Sequence, residues 1–309
     1  MSYRSSKMGA KVEFKNNGKD KNFFISIVLL TKCNFKCPYC YTTYPLYNIK
    51  SFLNRPKNKF RDVEIEEIAK TFDKIKRNNV IVIDGGEPFL FPRFIELCKL
   101  LTRNNRIQIL TNMTHKNIKR FADEVNPKGV RFIRATLHIE ELEKHNLIQQ
   151  FIDNFYYLKN KGFKVTVRYV MYPPYFRRFK TDYELFKSKG ITIEPKPFEG
   201  HYHLRKYPQA YTKKQKQLIK DYSTPHLDKY LKKGIVESSR NFKDRKCLAG
   251  VNSIHIKTDG SVYRCRDDKK SLGNLISGRV RILDKPEKCR IRTCPCLGIG
   301  IMSTGLIEE

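Results

Sequence analysis

Phe23-Phe-Ile-Ser-Ile-Val-Leu-Leu30 is followed at once by Cys33-Asn-Phe-Lys-Cys37-Pro-Tyr-Cys40-Tyr41, and this pair of stretches decides how the chain is read. The first is an almost wholly apolar run of strand length, the pattern of a β-strand buried on both faces of a parallel sheet. The second puts three thiols within eight residues on the loop that leaves the strand, where they can converge on one point. Three thiolates are a soft donor set, suited to an iron–sulfur cluster or to zinc. Four cysteines would close a metal site, whereas three leave one coordination position open to a reactant. A zinc loop that borrows its fourth ligand from elsewhere would satisfy the same spacing.

Outward from there, helical and strand patterns alternate. Asp62–Arg77 places Val63, Ile65, Ile68, Phe72 and Ile75 at helical spacing, and Val80–Ile83 is a short apolar strand. Helices over Arg93–Leu101, Lys116–Val125, Glu140–Lys161 and Thr181–Lys189 then alternate with strands Ile107–Leu110, Val130–Leu137, Phe163–Met171 and Ile191–Glu194. Gly162 and Gly190 stand where helix C-termini want a residue of positive φ. Six strands with helices between them predict right-handed βαβ units and an α/β fold whose site lies at the carboxyl ends of the strands. Residues 42–61 read as an irregular excursion over that site, and Pro195–Tyr211 as a linker or crossing loop. Thr212–Lys233 is a basic helical stretch interrupted by Pro225, and Ile254–Tyr263 is an alternating hairpin around Asp259-Gly260. The expected division is a basic arm at 1–22, a barrel unit at 23–200, a linker and helical segment at 201–246, and a cysteine-rich module at 247–309.

At 309 residues with 40% hydrophobic content, the chain has room for one large domain plus an appendage and is too apolar to be disordered. No apolar run approaches the roughly 18 residues that span a bilayer. The polar, Lys-rich start lacks a secretory apolar segment, so cytoplasmic residence is expected. In that compartment eight of the nine cysteines, in two groups, read as metal ligands rather than disulfides. Cys98, beside Phe94, Leu97 and Leu101 on an apolar helix face, reads as core. The net charge of +31 suits an acidic partner: nucleic acid, an acidic peptide, or a phosphorylated or nucleotide-linked molecule. The lysines are nevertheless spread along the chain without an RNA-binding aromatic signature, which a solvated surface explains equally well.

Asp84-Gly85-Gly86-Glu87-Pro88 sits directly after the second strand. Two glycines there let the backbone approach a ligand closely, and the following Glu can bind an ammonium group. The C-x3-C-x2-C triad with Tyr41 after it, followed by this Gly-Gly-Glu-Pro motif in the right order, resembles the radical S-adenosylmethionine (radical SAM) enzymes. The resemblance implies a partial (β/α)6 TIM-like barrel. It also implies that Cys33, Cys37 and Cys40 hold a four-iron four-sulfur cluster whose open iron is chelated by S-adenosylmethionine. By the same resemblance Tyr39, Tyr41, Gly85, Gly86, Glu87 and Pro88 lie against the cofactor, with Asn112, Thr136 and Arg168 as further polar contacts. Thr136 also reads as a satisfied sheet hydroxyl, and Arg168 as a substrate contact or a structural ion pair.

The C-terminal cysteines are Cys247, Cys265, Cys289, Cys294 and Cys296. Cys247-Leu-Ala-Gly250 and Asp259-Gly260-x-Val262-x-x-Cys265 resemble the auxiliary-cluster region called a twitch or SPASM domain. Five cysteines in place of seven imply one auxiliary cluster on four of the five, two clusters in all, with Cys289 the choice for the spare thiol. A zinc knuckle is the alternative for this module.

The activity implied is reductive cleavage of S-adenosylmethionine to a 5′-deoxyadenosyl radical that takes a hydrogen atom from the substrate, fed by a reductant such as flavodoxin or ferredoxin. A peptide or protein substrate, as in the maturation of modified peptides, is the first expectation. An oxidoreductase or epimerase acting on a sugar or a nucleotide-linked small molecule comes second. RNA modification and a non-enzymatic, metal-stabilised nucleic-acid-binding protein are the other classes. No catalytic side chain is assigned. His138 reads as a helix cap near the site mouth, and His201 and His203 as solvent or substrate contacts.

Overall fold

The computed structural model describes residues 12–13, 22–40, 58–75, 78–224 and 243–292. Tyr41, Cys294 and Cys296, most of the 1–22 arm and of the 42–61 excursion, and the part of the basic helical stretch beyond Thr224 lie outside these residues.

One eleven-stranded sheet organises the chain. After a two-residue strand β1 (Val12–Glu13) come β2 (Phe23–Leu30), β3 (Asn79–Gly85), β4 (Arg106–Thr111), β5 (Val130–Leu137), β6 (Val165–Met171) and β7 (Ile193–Pro197). From β2 to β7 every neighbouring pair is parallel and follows chain order, the arrangement of a partial barrel. The connecting helices are α1 (Ile65–Asp73), α2 (Phe94–Leu101), α3 (Ile118–Glu124), α4 (Ile139–Lys144), α5 (Ile148–Asn160) and α6 (Phe179–Ser188). They cover one face of the sheet. Ile25, Ile27, Ile81, Ile83, Ile107, Ile109, Ile133 and Ile193 belong to that main core, and each such buried side chain contributes about 1.5–3 kcal/mol.

Because successive residues of a strand face opposite ways, the intervening positions line the inner face. On β2, β3 and β4 that face is mixed: Phe24, Val80 and Val82 form a separate cluster against Leu110, beside the buried Ser26 and Gln108. Towards β5–β7 it turns polar: Thr136, Arg168 and Glu194 stand opposite one another across three strands.

Two differences from the sequence reading have local causes. The long helix expected over Glu140–Lys161 is two helices, broken where Asn146 adopts φ 55°. The Pro195–Tyr211 segment is not irregular throughout: it extends β7 to Pro197 and carries a hairpin, β8 (Gly200–Tyr202) with β9 (Arg205–Tyr207), before α7 (Lys213–Asp221). Thr212 starts that last helix through a capping box with Gln215.

The expected Asp259-Gly260 hairpin pairs β11 (Ser253–Ile256) with β12 (Ser261–Tyr263), following β10 (Lys246–Cys247). It continues into β13 (Ser271–Asn274) and β14 (Arg279–Arg281), while β15 (Glu287–Lys288) pairs with β10. These C-terminal strands are not a detached appendage. β11 lies parallel to β2 and joins the barrel sheet on the side away from β3.

Candidate active site at the ends of strands two and three

The cysteine loop and the glycine motif are stitched together by backbone. Gly86 N–H donates to the Leu30 carbonyl at 2.8 Å and Glu87 N–H to the Lys32 carbonyl at 3.0 Å. A Cβ on Gly86 would stand 2.0 Å from the Lys32 oxygen, and one on Gly85 (φ 142°) 2.3 Å from the Leu30 oxygen. Here both glycines serve contact between two loops, which the sequence alone assigns to contact with a ligand.

Glu87 is fully buried and turned inward. Its carboxylate accepts from Thr111 Oγ1 (2.8 Å), Asn112 N–H (2.8 Å) and Phe89 N–H (3.2 Å), so it ties β3 to the end of β4. Burial raises its pKa to about 7, against the lowering effect of those three donors. Two of these donors reach Oε1 and one reaches Oε2, so the carboxylate keeps one acceptor position on Oε2. Pro88 is buried at the start of the following 3-10 turn.

Cys33, Cys37 and Cys40 lie on one loop, with Cys40 N–H donating to the Cys37 carbonyl at 3.1 Å. Cys33 Sγ accepts from Phe35 N–H at 3.4 Å. Asn112 reaches the same loop, donating to Asn34 Oδ1 at 2.8 Å and lying 3.9 Å from Cys33 Sγ. Burial pushes the Cys33 thiol up to about 11 and Cys37 higher still, and the Cys40 sulfur adds to both shifts. Among the described residues no three His, Cys, Asp or Glu side chains close on a single ion. Thiols spread round a loop suit a cluster that offers each of them a different iron. With soft donors only, and a backbone cradle beside them that admits no Cβ, the residues fit a cluster that leaves one iron for a further ligand.

Tyr39 packs at a tilt against Tyr172 and edge-on against Tyr175, its hydroxyl 2.8 Å from His138 Nδ1. His138 precedes α4 but makes no side-chain cap. It packs against the cysteine loop, a contact across 101 positions that the sequence does not signal. Burial, then the nearby Lys196 charge, depresses the ring's pKa to about 3, so it is neutral. Thr136 and Arg168 lie on the inner face, where Arg168 Nε stands 3.6 Å from Glu194 Oε2. Lys196, on the same face, has its ammonium pKa lowered chiefly by burial and then by the Arg168 and Arg266 charges, with Glu199 and Asp84 opposing.

In the C-terminal module the centre is Arg264, which the sequence reading passed over. Only 2% exposed, it donates to the Ala249 (2.9 Å), Glu287 (3.1 Å), Lys288 (3.2 Å) and Cys247 (3.4 Å) carbonyls and to Asp268 (3.3 Å). It thereby gathers the segments that carry Cys247, Cys265 and Cys289. The Cys247 thiol is raised by burial, with the Cys289 sulfur adding to the shift, and burial brings Cys265 to about 11. Arg266, next to Cys265, reaches Glu199 at the end of the barrel at 3.3 Å. His201 and His203 are exposed on the β8–β9 hairpin, and Cys98 is buried in α2.

Residues 27–185 match the family model described as the Radical SAM superfamily. The chain belongs to this family. The family's requirements are a four-iron four-sulfur cluster and S-adenosylmethionine. Among solved structures, this radical SAM protein is similar to anSMEcpe with bound AdoMet, at TM-score 0.57 and 18% identity over 83% of this chain and 78% of that one. It is also similar to SuiB from Streptococcus suis bound to S-adenosylmethionine (TM-score 0.52, 14% identity, 83% and 62% coverage). SuiB is also described with its precursor peptide SuiA, and anSMEcpe with the Kp18Cys peptide. At these identities the likeness is one of fold. No curated protein matches the chain in sequence. Among the described residues, no helix is long and apolar enough to cross a membrane.

Proposed function

We propose that this radical SAM protein modifies a peptide or protein substrate by hydrogen-atom abstraction. The observation that carries the reading is the pair of loops stitched through Gly86 N–H and Glu87 N–H at the carboxyl ends of β2 and β3, above a polar inner face. When bound, the cluster and S-adenosylmethionine supply a 5′-deoxyadenosyl radical after one electron arrives from a flavodoxin- or ferredoxin-type donor.

The chain's own residues do the rest. Cys33, Cys37 and Cys40 give three thiolates and leave one iron open. The Gly85–Glu87 backbone and Asn112 face the amino-acid end of the cofactor, while Thr136 and Arg168 lie further round the inner face for its remaining polar groups or for substrate. Four of Cys247, Cys265, Cys289, Cys294 and Cys296 would hold an auxiliary cluster, which would supply a substrate-binding or electron-accepting centre. A peptide is favoured because fold neighbours are described with bound peptides, and because 62 basic against 31 acidic residues suit an acidic one. A nucleotide-linked small molecule is the second reading, favoured by the buried Arg134 and Arg168 on the inner face.

The test is anaerobic turnover with dithionite and S-adenosylmethionine in the presence of acidic peptides or of nucleotide sugars. The first reading expects 5′-deoxyadenosine formation to rise with peptide, together with a mass change in that peptide. A rise with nucleotide sugars alone replaces it by the second.

A further inference from the structure

His138 is a half-buried side chain whose ring nitrogen meets the cysteine loop. Its Nδ1 lies 3.1 Å from Cys37 Sγ and 2.8 Å from the Tyr39 hydroxyl. The ring cannot swing out of this position easily. The Phe35 ring meets it edge-on at 5.9 Å, and Tyr39 lies nearly parallel to it at 5.8 Å, with an interplanar angle of 21°. While Cys37 is a thiol, its S–H and the Tyr39 O–H compete for the single Nδ1 lone pair. A metal-bound sulfur has no proton to offer. The 3.1 Å contact is then favourable only if Nδ1 carries the hydrogen, and the Tyr39 oxygen becomes a second acceptor for it.

We infer that His138 is a positioning residue that directs Nδ1–H at the Cys37 sulfur of the loaded loop and so raises the potential at which the cluster takes up its electron. The inference rests on the reading of Cys33, Cys37 and Cys40 as cluster ligands. The physical cause is general: reduction adds negative charge to the cluster and its sulfurs, and a hydrogen bond to a ligating sulfur stabilises the reduced state more than the oxidised one. The backbone N–H of Phe35 already approaches Cys33 Sγ, so His138 supplies the corresponding donor to the second thiol of the triad.

The test uses the reconstituted holoenzyme in a redox titration followed by electron paramagnetic resonance. Only the signal component that changes on adding S-adenosylmethionine is followed, so an auxiliary cluster does not enter. His138→Leu keeps the bulk and removes the donor; it is expected to titrate at a more negative potential with wild-type iron content. His138→Asn places an amide N–H near the position of Nδ1 and is expected to return the potential most of the way. A His138→Leu enzyme that holds full iron and titrates with the wild type overturns the inference. Should His138→Leu fail to load iron, pulsed resonance on the reduced wild-type enzyme labelled with 15N-histidine decides. A nitrogen coupled to the cluster is expected, and its absence overturns the role. If the wild type has no component that responds to S-adenosylmethionine, the ligand assignment itself fails, and this role with it.

Discussion

At Gly86 one added methyl group would stand 2.0 Å from a backbone oxygen that cannot move without taking the cysteine loop with it. Gly86→Ala is therefore expected to part the two loops. Affinity for S-adenosylmethionine should fall at least tenfold, which is about 1.4 kcal/mol, as equilibrium binding would measure. Arg264 works by the opposite means, a long side chain holding four backbone carbonyls and an aspartate. Arg264→Met leaves Asp268 buried without that cation and should cost about 3–5 kcal/mol in chemical denaturation. Two neutral histidines, His138 and His255, set an acid limit. His138 and His255 have their ring pKa values depressed to about 3 by burial, whereas in the unfolded chain each takes a proton near 6.5. Their contribution is complete above pH 6.5 and is lost as pH falls towards 3. The pH–stability curve of His255→Asn should accordingly be flatter in that window.

Among the elements, those read most surely from sequence are the ones whose local pattern has a single solution. Val80–Ile83 is apolar at every position, and a parallel strand covered on both faces accounts for it. The cysteine loop and the glycine motif were legible for the same reason, since strand ends and small residues leave few conformations. Where the chain chooses between near-equal options, the pattern fails. Nothing in Lys144-His145-Asn146-Leu147 forbids a helix, yet Asn146 takes a positive φ of 55° and splits it. The β8–β9 hairpin was hidden because its turn uses His203 (φ 44°) and Leu204 (φ 61°), where a glycine or asparagine would have signalled it. Leu204 is fully exposed at that tip, with relative accessibility of 101%. Replacing His203-Leu204 by Asn-Gly should raise stability by about 1–2 kcal/mol, visible as a higher unfolding temperature. An unchanged or lower value would mean that the tip is held by contacts of its own.

On the scale of the whole molecule, β2 is the common support of both cysteine groups. It leads into Cys33–Cys40, pairs with the glycine-motif strand on one side, and pairs with β11 of the cysteine-rich module on the other. Hydropathy could not show this, because a short strand carries no mark of which edge it will join. The Arg266–Glu199 contact was hidden likewise, since it joins residues 67 positions apart. The net charge of +31 acts at this scale too. Exposed ion pairs such as Lys70–Glu67, Arg93–Glu66 and Lys187–Glu184 hold the fold together only weakly, and the proposal that the excess charge serves recognition is tested by salt. Affinity for an acidic peptide should then decline steeply with added salt, and a salt-independent affinity would assign the charge to the surface alone.

The central claim is that Cys33, Cys37 and Cys40 hold a cluster with one iron left for S-adenosylmethionine. The most direct measurement is 5′-deoxyadenosine produced by the anaerobically reconstituted, dithionite-reduced protein, set beside the variant in which these three cysteines are alanine. Production by the wild type, with its loss in the variant while the C-terminal module keeps its iron, is the expected result. A wild-type protein that carries zinc on this loop, or that carries the cluster and never cleaves S-adenosylmethionine, would contradict the claim.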